Sequence, residues 1–320
     1  MTSFAFVFPG QGSQAVGMLD AWGDHPVVRQ TVQEASEALG EDLGQLIHDG
    51  PKESLALTTN TQPVMLLASI AAYRAWLAEG GAAPVAVAGH SLGEYSALVA
   101  SGVLTLAQAV PLVRLRAQAM QEAVPVGQGA MAAILGLDTA RVVEGCAQAT
   151  ASFGAGSPEV VEAVNFNDPA QTVIAGSKAG VEKACEVLKG LGAKRALLLA
   201  VSAPFHSSLM KPAAERLRER LQTVKLASPQ FAVINNIDAQ VLSDPEAIRD
   251  ALYRQAFGPV RWVDGMRAMA DRGVTQCVEC GPGKVLTGMV KRILPDVAAH
   301  AVFDPATLAQ AKAALTGASA

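Results

Sequence analysis

The residues of this chain that could do chemistry begin with a serine between two glycines, in residues 89–93, Gly-His-Ser-Leu-Gly. A short apolar run, Val85–Ala88, precedes them, and a helical pattern begins at Leu92. A strand, a tight turn and a helix in this order form a nucleophile elbow, which lifts the serine hydroxyl above the edge of a sheet. We therefore predict that Ser91 is a nucleophile and that the backbone N–H of Leu92 donates to an oxyanion. The alternative is an ordinary strand-to-helix turn.

A serine nucleophile needs a base, and His206 is the best placed of the five histidines. It follows a predicted strand and Pro204, so we expect it in a loop at the carboxyl end of a strand, where α/β sheets bind ligands. His90 adjoins Ser91 and would point away from a tight turn. The other three histidines lie in polar or terminal segments. An ordinary hydrogen-bonded histidine remains the alternative at position 206.

The usual third member of such a site, an acid, is not evident in the sequence. Hydrolases with this elbow place an Asp or Glu between the serine and the histidine in the chain. Asp168 is the acidic loop residue in that interval, but it falls in a segment that predicts a separate small domain. A Ser–His pair whose histidine is oriented by a backbone carbonyl fits the sequence better than a triad.

A glycine-rich segment follows the first predicted strand and reads Pro-Gly-Gln-Gly-Ser-Gln at residues 9–14. It lacks both the G-x-G-x-x-G pattern and the lysine of a Walker loop, so nucleotide binding is not expected. In hydrolase-like folds the loop after a neighbouring strand supplies the second oxyanion donor. We predict that role for this loop.

Arg114 and Arg116 lie in an otherwise apolar helical pattern. Residues two apart on a helix lie on different faces, so one of the two can point inward. A buried arginine would need an anion. The alternative is that both side chains reach solvent along their apolar stems.

The pair Cys277 and Cys280 forms a C-x-x-C pattern at the end of a predicted strand. A redox pair of this kind needs a helix N-terminus, and a zinc site needs two more ligands nearby. Residues three apart on a strand face opposite sides. We therefore interpret both cysteines as structural and predict no metal site.

The elements that must position these residues indicate an α/β fold. Apolar strands such as 4–8 and 85–88 alternate with helices, which predicts a parallel sheet covered on both faces. Residues 128–202 instead show the order βαββαβ, which is the ferredoxin-like split motif. We predict a hydrolase-like parallel-sheet domain, residues 1–127 and 203–320, with an inserted ferredoxin-like α+β subdomain.

One predicted helix contains an internal proline. Thr105 is typical of an N-cap, and the helical pattern runs from there to about Val124. Pro111 inside it removes a backbone hydrogen bond. We predict a bend, or a late helix start, near Pro111.

The composition excludes several classes of protein. Hydrophobic residues make up 50% of the 320 and charged residues 17%, which excludes intrinsic disorder. The net charge of −4 makes nucleic acid an unexpected partner. The sequence has no predominantly apolar run long enough to span a membrane. With four cysteines, and no basic residue before Arg29, we expect a cytoplasmic protein rather than a secreted one.

Several of these segments together resemble one family, the malonyl-CoA:acyl-carrier-protein transacylases of bacterial type II fatty-acid synthesis. The resemblance runs from Phe4 to about Leu294. It is carried by motifs in one order: Phe8–Gln14, Thr61–Pro63, Gly89–Tyr95, Arg116 with Met120–Glu122, Val164–Asn167, His206 with Leu209–Pro212, Gln255 with Pro259–Trp262, and Gly281–Leu286.

The resemblance implies a role for each matching residue. Ser91 would be the nucleophile and His206 its base, with the backbone carbonyl of Gln255 orienting the histidine. The N–H groups of Gln11 and Leu92 would form the oxyanion hole. Further roles concern the substrate: Arg116 would hold the malonyl carboxylate, Gln62, Asn165 and Asn167 would line the pocket, and Phe205 would crowd an α-methyl branch.

The resemblance also implies the reaction and its participants. The malonyl group would pass from a coenzyme A thioester to Ser91 and then to the phosphopantetheine thiol of an acyl carrier protein, with no cofactor and with the enzyme as a monomer. Carrier proteins are acidic, so docking would need a local basic patch. Two groups are available: Lys284, Lys291 and Arg292; and Lys178, Lys183, Lys189, Lys194 and Arg195.

Two rival functions remain at this stage. A serine hydrolase such as a thioesterase would use the same Ser91 and His206 but would not need Arg116. A non-catalytic subunit that docks carrier protein would need none of the three.

Overall fold

The computed structural model describes residues 3–201 and 203–317, and within them nine β-strands and thirteen α-helices. The strands are β1 (Phe4–Phe8), β2 (Ala86–Gly89), β3 (Gly129–Leu135), β4 (Val161–Asp168), β5 (Gln171–Ser177), β6 (Arg195–Leu198), β7 (Ala232–Ile234), β8 (Gln276–Cys280) and β9 (Ala298–Val302). The helices are α1 (Pro26–Leu39), α2 (Leu43–Asp49), α3 (Lys52–Ala56), α4 (Thr58–Ala78), α5 (Gly93–Ala100), α6 (Leu106–Glu122), α7 (Thr139–Ala151), α8 (Lys178–Gly190), α9 (Lys211–Thr223), α10 (Pro245–Ala256), α11 (Trp262–Asp271), α12 (Val285–Ile293) and α13 (Pro305–Thr316).

The larger sheet has five parallel strands in the order β7-β2-β1-β8-β9. Its central strand β1 is buried on both faces: Phe6 belongs to the apolar cluster on one side and Val7 to the cluster on the other. This arrangement confirms the predicted parallel sheet. Because its strands are parallel, their carboxyl ends meet at one edge, where β1 leads into residues 9–14 and β2 leads into Ser91.

The smaller sheet has four antiparallel strands in the order β4-β5-β3-β6. Helices α7 and α8 pack together and on this sheet through an apolar cluster of their own. The order and the two helices match the ferredoxin-like motif, as the sequence predicts. The predicted boundary at residue 202 falls on Ser202, which lies outside the described residues, and the domain limits stay a prediction.

Strand β4 joins the smaller sheet to the rest of the molecule. The N–H of Phe166 donates to the carbonyl of Val260 at 3.0 Å, and the N–H of Val260 donates to Val164 at 2.8 Å. At the end of the strand, Arg292 of α12 donates to the buried carboxylate of Asp168 at 2.7 Å. The two backbone bonds hold β4 against the segment that precedes α11, and the ion pair holds its end against α12.

Helix α6 corrects one prediction. It begins at Leu106 and runs through Pro111 to Glu122, so a late start is wrong. A capping box fixes the first turn, with the side chain of Thr105 accepting from Gln108 N–H and the side chain of Gln108 accepting in return from Thr105 N–H. The capping box satisfies backbone N–H groups of the first turn. Pro111, in the second turn, removes only one backbone hydrogen-bond donor, so the helix continues through it.

Two glycines make the turn after β2 sterically feasible. A Cβ on Gly89 would overlap the carbonyl oxygen of Gly93, and a Cβ on Gly93 would overlap the carbonyl oxygen of Phe8 in β1. Both obstacles are backbone atoms, so no side chain can move aside to make room. Helix α5 therefore starts directly against the strands.

We expect Gly89→Ala to destabilise the protein by roughly 3 kcal/mol or more, because overpacking against fixed backbone cannot relax. The matched control is Gly190→Ala at the end of α8, where an added Cβ meets no atom within 4 Å. That control should be neutral or slightly stabilising. Urea unfolding of both variants measures the difference, and equal midpoints would contradict the steric argument.

Candidate active site

Ser91 lies on the tight turn between β2 and α5 with a φ of 53°, in the left-handed region that a serine rarely adopts. The side chain of Asn236 holds this turn from the segment after β7. Its Oδ1 accepts from Ser91 N–H at 2.7 Å, and its Nδ2 donates to the carbonyl of Gly89 at 2.7 Å. Such strain persists when surrounding contacts fix it, and here Asn236 supplies two of them.

His206 is the histidine that contacts Ser91. Its Nε2 lies 2.6 Å from Ser91 Oγ, and its Nδ1 lies 2.8 Å from the backbone oxygen of Gln255. A carbonyl oxygen only accepts, so Nδ1 carries the ring proton and Nε2 is left to accept the serine proton. Asp168, the acid considered from the sequence, instead bonds Arg292.

The imidazole of His206 is held neutral. Burial lowers its pKa to about 3, the positive charge of Arg116 acts in the same direction, and the hydrogen bond to Gln255 opposes both. A neutral imidazole next to a serine hydroxyl can act as a general base without first losing a proton.

Gln11 and Leu92 both line the cavity that contains Ser91. Among the described residues, no acceptor is hydrogen-bonded to the backbone N–H of either one, whereas the N–H groups of neighbouring Gly12, Ser91 and Gly93 are all bonded. Two unoccupied donors beside a serine are what an oxyanion hole requires.

Arg116 is the inward-facing member of the arginine pair, with 2% of its surface exposed. One terminal nitrogen, Nη1, donates to Gln62 Oε1 at 2.8 Å. The other, Nη2, donates to Gln255 Oε1 at 3.0 Å and to Ser91 Oγ at 3.2 Å. Arg114 pairs at the surface with Glu41 at 2.7 Å.

The guanidinium of Arg116 has no ion-pair partner among residues 3–201 and 203–317, because none of their carboxylates lies within 4.0 Å of it. Its contacts are neutral amides, a hydroxyl and the ring of Tyr95, whose centroid is 5.4 Å away. A buried cation whose direct contacts are all neutral can bind an anion.

Gln255 joins the histidine and the arginine through two different groups. Its backbone carbonyl faces His206, and its side-chain oxygen faces Arg116. Its side-chain Nε2 donates to the carbonyl of Ser91 and to the carboxyl of Glu94, both at 2.9 Å.

Sequence reasoning missed Asn236 and Glu94 as site residues. Glu94 stands inside the Gly89–Tyr95 motif, and the signal available was an acidic residue three positions after the serine in a largely apolar helical stretch. Asn236 had only a weaker signal, its place just after a strand. The strand order that puts β7 next to β2 is not visible in the sequence.

The cavity around Ser91 has a volume of about 480 Å³ and lies between the two sheets. The four residues that the family resemblance assigns to the pocket all line it: Gln62, Asn165, Asn167 and Phe205. Asn167 accepts a hydrogen bond from His90 Nε2 at 2.8 Å, which turns that histidine away from the serine. A wider groove of about 810 Å³ between α1 and α2 contains none of the predicted site residues.

Cys277 and Cys280 are buried on opposite faces of β8, one in each apolar cluster of the larger sheet. Burial raises the pKa of both thiols. Across the described ranges, no group of three or more His, Cys, Asp or Glu side chains is placed to hold a metal ion. Nor is any helix in those ranges long and apolar enough to cross a membrane.

Comparison with known proteins places this chain among acyltransferases. A family model described as acyl transferase domain matches residues 5–311. The malonyl CoA-acyl carrier protein transacylase of Escherichia coli strain K12 is 52% identical over 97% of this chain and 99% of its own length.

Two solved structures extend the comparison. An acyl-carrier-protein S-malonyltransferase from Burkholderia pseudomallei 1710b has a TM-score of 0.94 and 62% identity, covering 97% of this chain and 99% of the other. A malonyl-transacylase in complex with its type II polyketide acyl-carrier protein has a TM-score of 0.93 and 50% identity, covering 97% of this chain and 99% of the other.

We expect the imidazole of His206 to stay neutral at about pH 5, because burial and the charge of Arg116 lower its pKa. His48 is the matched control, since its hydrogen bond to Asp20 raises its pKa above the ordinary value. NMR spectra of the imidazole nitrogens across the acid range measure both. A His206 midpoint near that of a free histidine would contradict the assignment.

Proposed function

The chain belongs to the family of the malonyl CoA-acyl carrier protein transacylases, and on that premise we propose that it moves a malonyl group from malonyl-CoA to the phosphopantetheine thiol of an acyl carrier protein. The observation that carries the proposal is Arg116, a buried cation without a carboxylate in contact, 3.2 Å from Ser91 Oγ. An acyl group on Ser91 that ends in a carboxylate would bring that carboxylate to the guanidinium.

In the first half-reaction Ser91 Oγ attacks the thioester carbonyl of malonyl-CoA while its proton passes to His206 Nε2. The oxyanion accepts from the N–H groups of Gln11 and Leu92. The carbon–sulfur bond then breaks, and the proton on His206 goes to the departing coenzyme A sulfur. The carbonyl of Gln255 stabilises the imidazolium that exists between the two proton transfers.

In the second half-reaction the thiol of the carrier protein attacks the malonyl-serine ester. His206 takes the thiol proton and returns it to Ser91 Oγ as the ester bond breaks, which regenerates the free enzyme. Ser91, His206, the coenzyme A thiol and the carrier-protein thiol together give and take every proton and every leaving group in the two half-reactions. The reaction therefore requires no cofactor.

Arg116 distinguishes this proposal from a thioesterase, which would use Ser91 and His206 but would have no use for a buried cation. A charge-assisted hydrogen bond between guanidinium and carboxylate would orient malonyl groups and leave simple acyl groups unheld. Phe205 lines the same cavity and would crowd an α-methyl branch. A non-catalytic docking subunit would not need a histidine held neutral against a serine.

We propose an acyl carrier protein as partner and a cytoplasmic monomer as the working form. The proposed catalytic groups all come from one chain, and the four cysteines are free thiols, which suits a reducing compartment. Each basic group has members on or beside an element that lines the cavity, since α12 lines it through Met289 and β6 runs into Leu199. Helix α8, which carries three lysines of the second group, does not line it.

The carrier-protein surface can be tested with Lys291→Glu. Arg292 is a poor choice because reversing it would leave the buried Asp168 without its partner. We expect the Michaelis constant for carrier protein to rise at low salt and the effect to fade at high salt, because exposed charges are screened beyond ~10 Å at 0.1 M. The control is Lys225→Glu, an exposed residue in the segment between α9 and β7, which contributes nothing to the cavity lining. An unchanged Michaelis constant in Lys291→Glu would move the surface to the second basic group, which consists of Lys194, Arg195 and the lysines of α8.

The function is tested with Arg116→Ala. We expect malonyl transfer to fall by about one to two decades relative to acetyl transfer, because a charge-assisted hydrogen bond contributes roughly 1.5–3 kcal/mol. Arg114→Ala is the matched control and should leave the malonyl/acetyl preference unchanged. Intact mass after mixing with malonyl-CoA gives the adduct directly. A malonyl adduct that persists on Ser91→Ala would refute the nucleophile assignment.

A further inference from the structure

Glu94 is a buried carboxyl group that the reaction steps above do not use. It lies at the start of α5, three residues after Ser91, with 2% of its surface exposed. Its Oε2 accepts from the side-chain amide of Gln255 at 2.9 Å and from the backbone N–H of Asn236 at 3.2 Å. Both partners also contact the serine turn.

The amide of Gln255 connects Glu94 to Arg116. Its Nε2 donates to the carboxyl, and its Oε1 accepts from the guanidinium. A carboxyl at one end and a guanidinium at the other fix the orientation of this amide, because the reverse would oppose acceptor to acceptor and donor to donor. The two charges therefore face each other across one neutral group.

The charged surroundings of Glu94 are few. Arg116 on α6 acts on it with favourable sign, Asp238 after β7 acts with unfavourable sign, and Tyr95 follows it on α5. Asp238 is itself paired with Arg254 of α10.

Helix α10 also packs against Glu94, and its charged residues are paired: Arg249 with Glu246, and Arg254 with Asp250 and Asp238. The other charged residues of α6, Arg114 and Glu122, pair with Glu41 and Arg216.

Strands β1, β2 and β7 carry no ionisable side chain. The one charged residue of α4, Arg74, pairs with Glu34. His206, on the other side of Ser91, is neutral near pH 7 because its pKa is lowered to about 3.

Glu94 has room for a proton on its second oxygen. Among the described residues, Oε1 has no hydrogen-bond partner, and a cavity of about 10 Å³, close to the size of one water molecule, adjoins the side chain. Protonation at Oε1 would leave Oε2 as an acceptor, so the bonds from Gln255 and Asn236 would survive.

We propose that Glu94 is the buried counter-charge of Arg116 and that it takes up one proton from solvent when a malonyl carboxylate occupies Arg116. The proposal rests on the proposed function and adds a proton linkage specific to acyl groups with a free carboxylate. Glu94 is thus a positioning residue, acting through Arg116 and Gln255 rather than on the substrate.

The reason is that two carboxylates would otherwise share one guanidinium in a buried site. In the free enzyme, burial already raises the pKa of Glu94 to about 7, against the hydrogen bonds from Gln255 and Asn236 and the smaller opposing effect of Arg116. A second anion at Arg116 weakens that opposing effect and adds like-charge repulsion, so the pKa rises further. Between the two pKa values, malonyl loading consumes a proton and becomes less favourable as the pH increases.

The experiment measures the equilibrium between enzyme and acyl-enzyme by intact mass, at a fixed ratio of acyl-CoA to CoA, from about pH 6 to pH 9. Acetyl-CoA is the reference substrate, because it shares the thioester and the released thiol but has no carboxylate. We expect the malonyl-to-acetyl ratio of loading constants to fall above neutral pH, with a limiting slope of about tenfold per pH unit for one proton.

Two variants assign the effect. Glu94→Gln keeps an acceptor for Gln255 and Asn236 but cannot titrate, and its malonyl-to-acetyl ratio should change less than about twofold over the same range. Asp238→Asn is the matched control, a nearby carboxylate that does not contact Gln255, and it should retain the fall. A ratio that still falls in Glu94→Gln would assign the proton elsewhere and overturn the proposal.

The wild-type protein tests the linkage without any variant. Calorimetry in buffers of different ionisation enthalpy should show proton uptake on loading with malonyl-CoA and none with acetyl-CoA. Equal proton uptake for both substrates, or a wild-type ratio that is independent of pH, would refute the role of Glu94 while leaving the transferase function intact. A wild-type protein that forms no malonyl adduct at all would instead refute the function.

Discussion

The buried charge of Arg116 is the constraint on which the rest of the site depends. A guanidinium taken out of water without a carboxylate in contact is costly, and the surroundings offset that cost with amide oxygens, a hydroxyl and an aromatic face. Burial and this charge together lower the pKa of His206, and the same charge is one of three effects that oppose the increase that burial causes in the pKa of Glu94. In the proposed mechanism one cation therefore binds the substrate carboxylate, helps to keep the base unprotonated and shifts the ionisation of the buried acid.

In the proposed mechanism, Gln255 couples binding of the substrate carboxylate to activation of the serine, because it contacts both Arg116 and His206. Its backbone holds His206, and its side chain holds Arg116, the Ser91 carbonyl and Glu94. A shift of α10 would move all four contacts at once. If Arg116 is placed to bind a carboxylate, His206 is therefore also placed to contact Ser91. This coupling would favour reaction of acyl groups whose carboxylate is bound at Arg116.

The sequence could predict what is local. The glycine spacing around Ser91 indicates the elbow, because backbone atoms of adjoining elements exclude a Cβ there. The order of strands and helices between residues 128 and 202 indicates the smaller sheet. Asn236 escaped prediction because its contact with Ser91 spans 145 residues and depends on the pairing of β7 with β2. The late helix start offered as one alternative for α6 is wrong because the cap at Thr105 outweighs the proline six residues later, and the bend near Pro111 stays a prediction.

The two sheets contribute different parts of the cavity: one provides the proposed reacting groups, and the other provides side chains that shape the acyl pocket. Ser91 and the oxyanion donors come from the carboxyl edge of the parallel sheet, while Asn165, Asn167 and Met131 come from the antiparallel one. The smaller sheet is joined to the rest of the molecule along β4, through backbone bonds between β4 and Val260 that do not depend on side-chain identity. Substitutions at Met131 and Asn165 can therefore reshape the space around the acyl group without breaking a hydrogen bond to the strained turn, whereas Asn167 is bonded to His90 in that turn. By contrast, a change at Arg116 or Gln255 alters the base and the substrate site together.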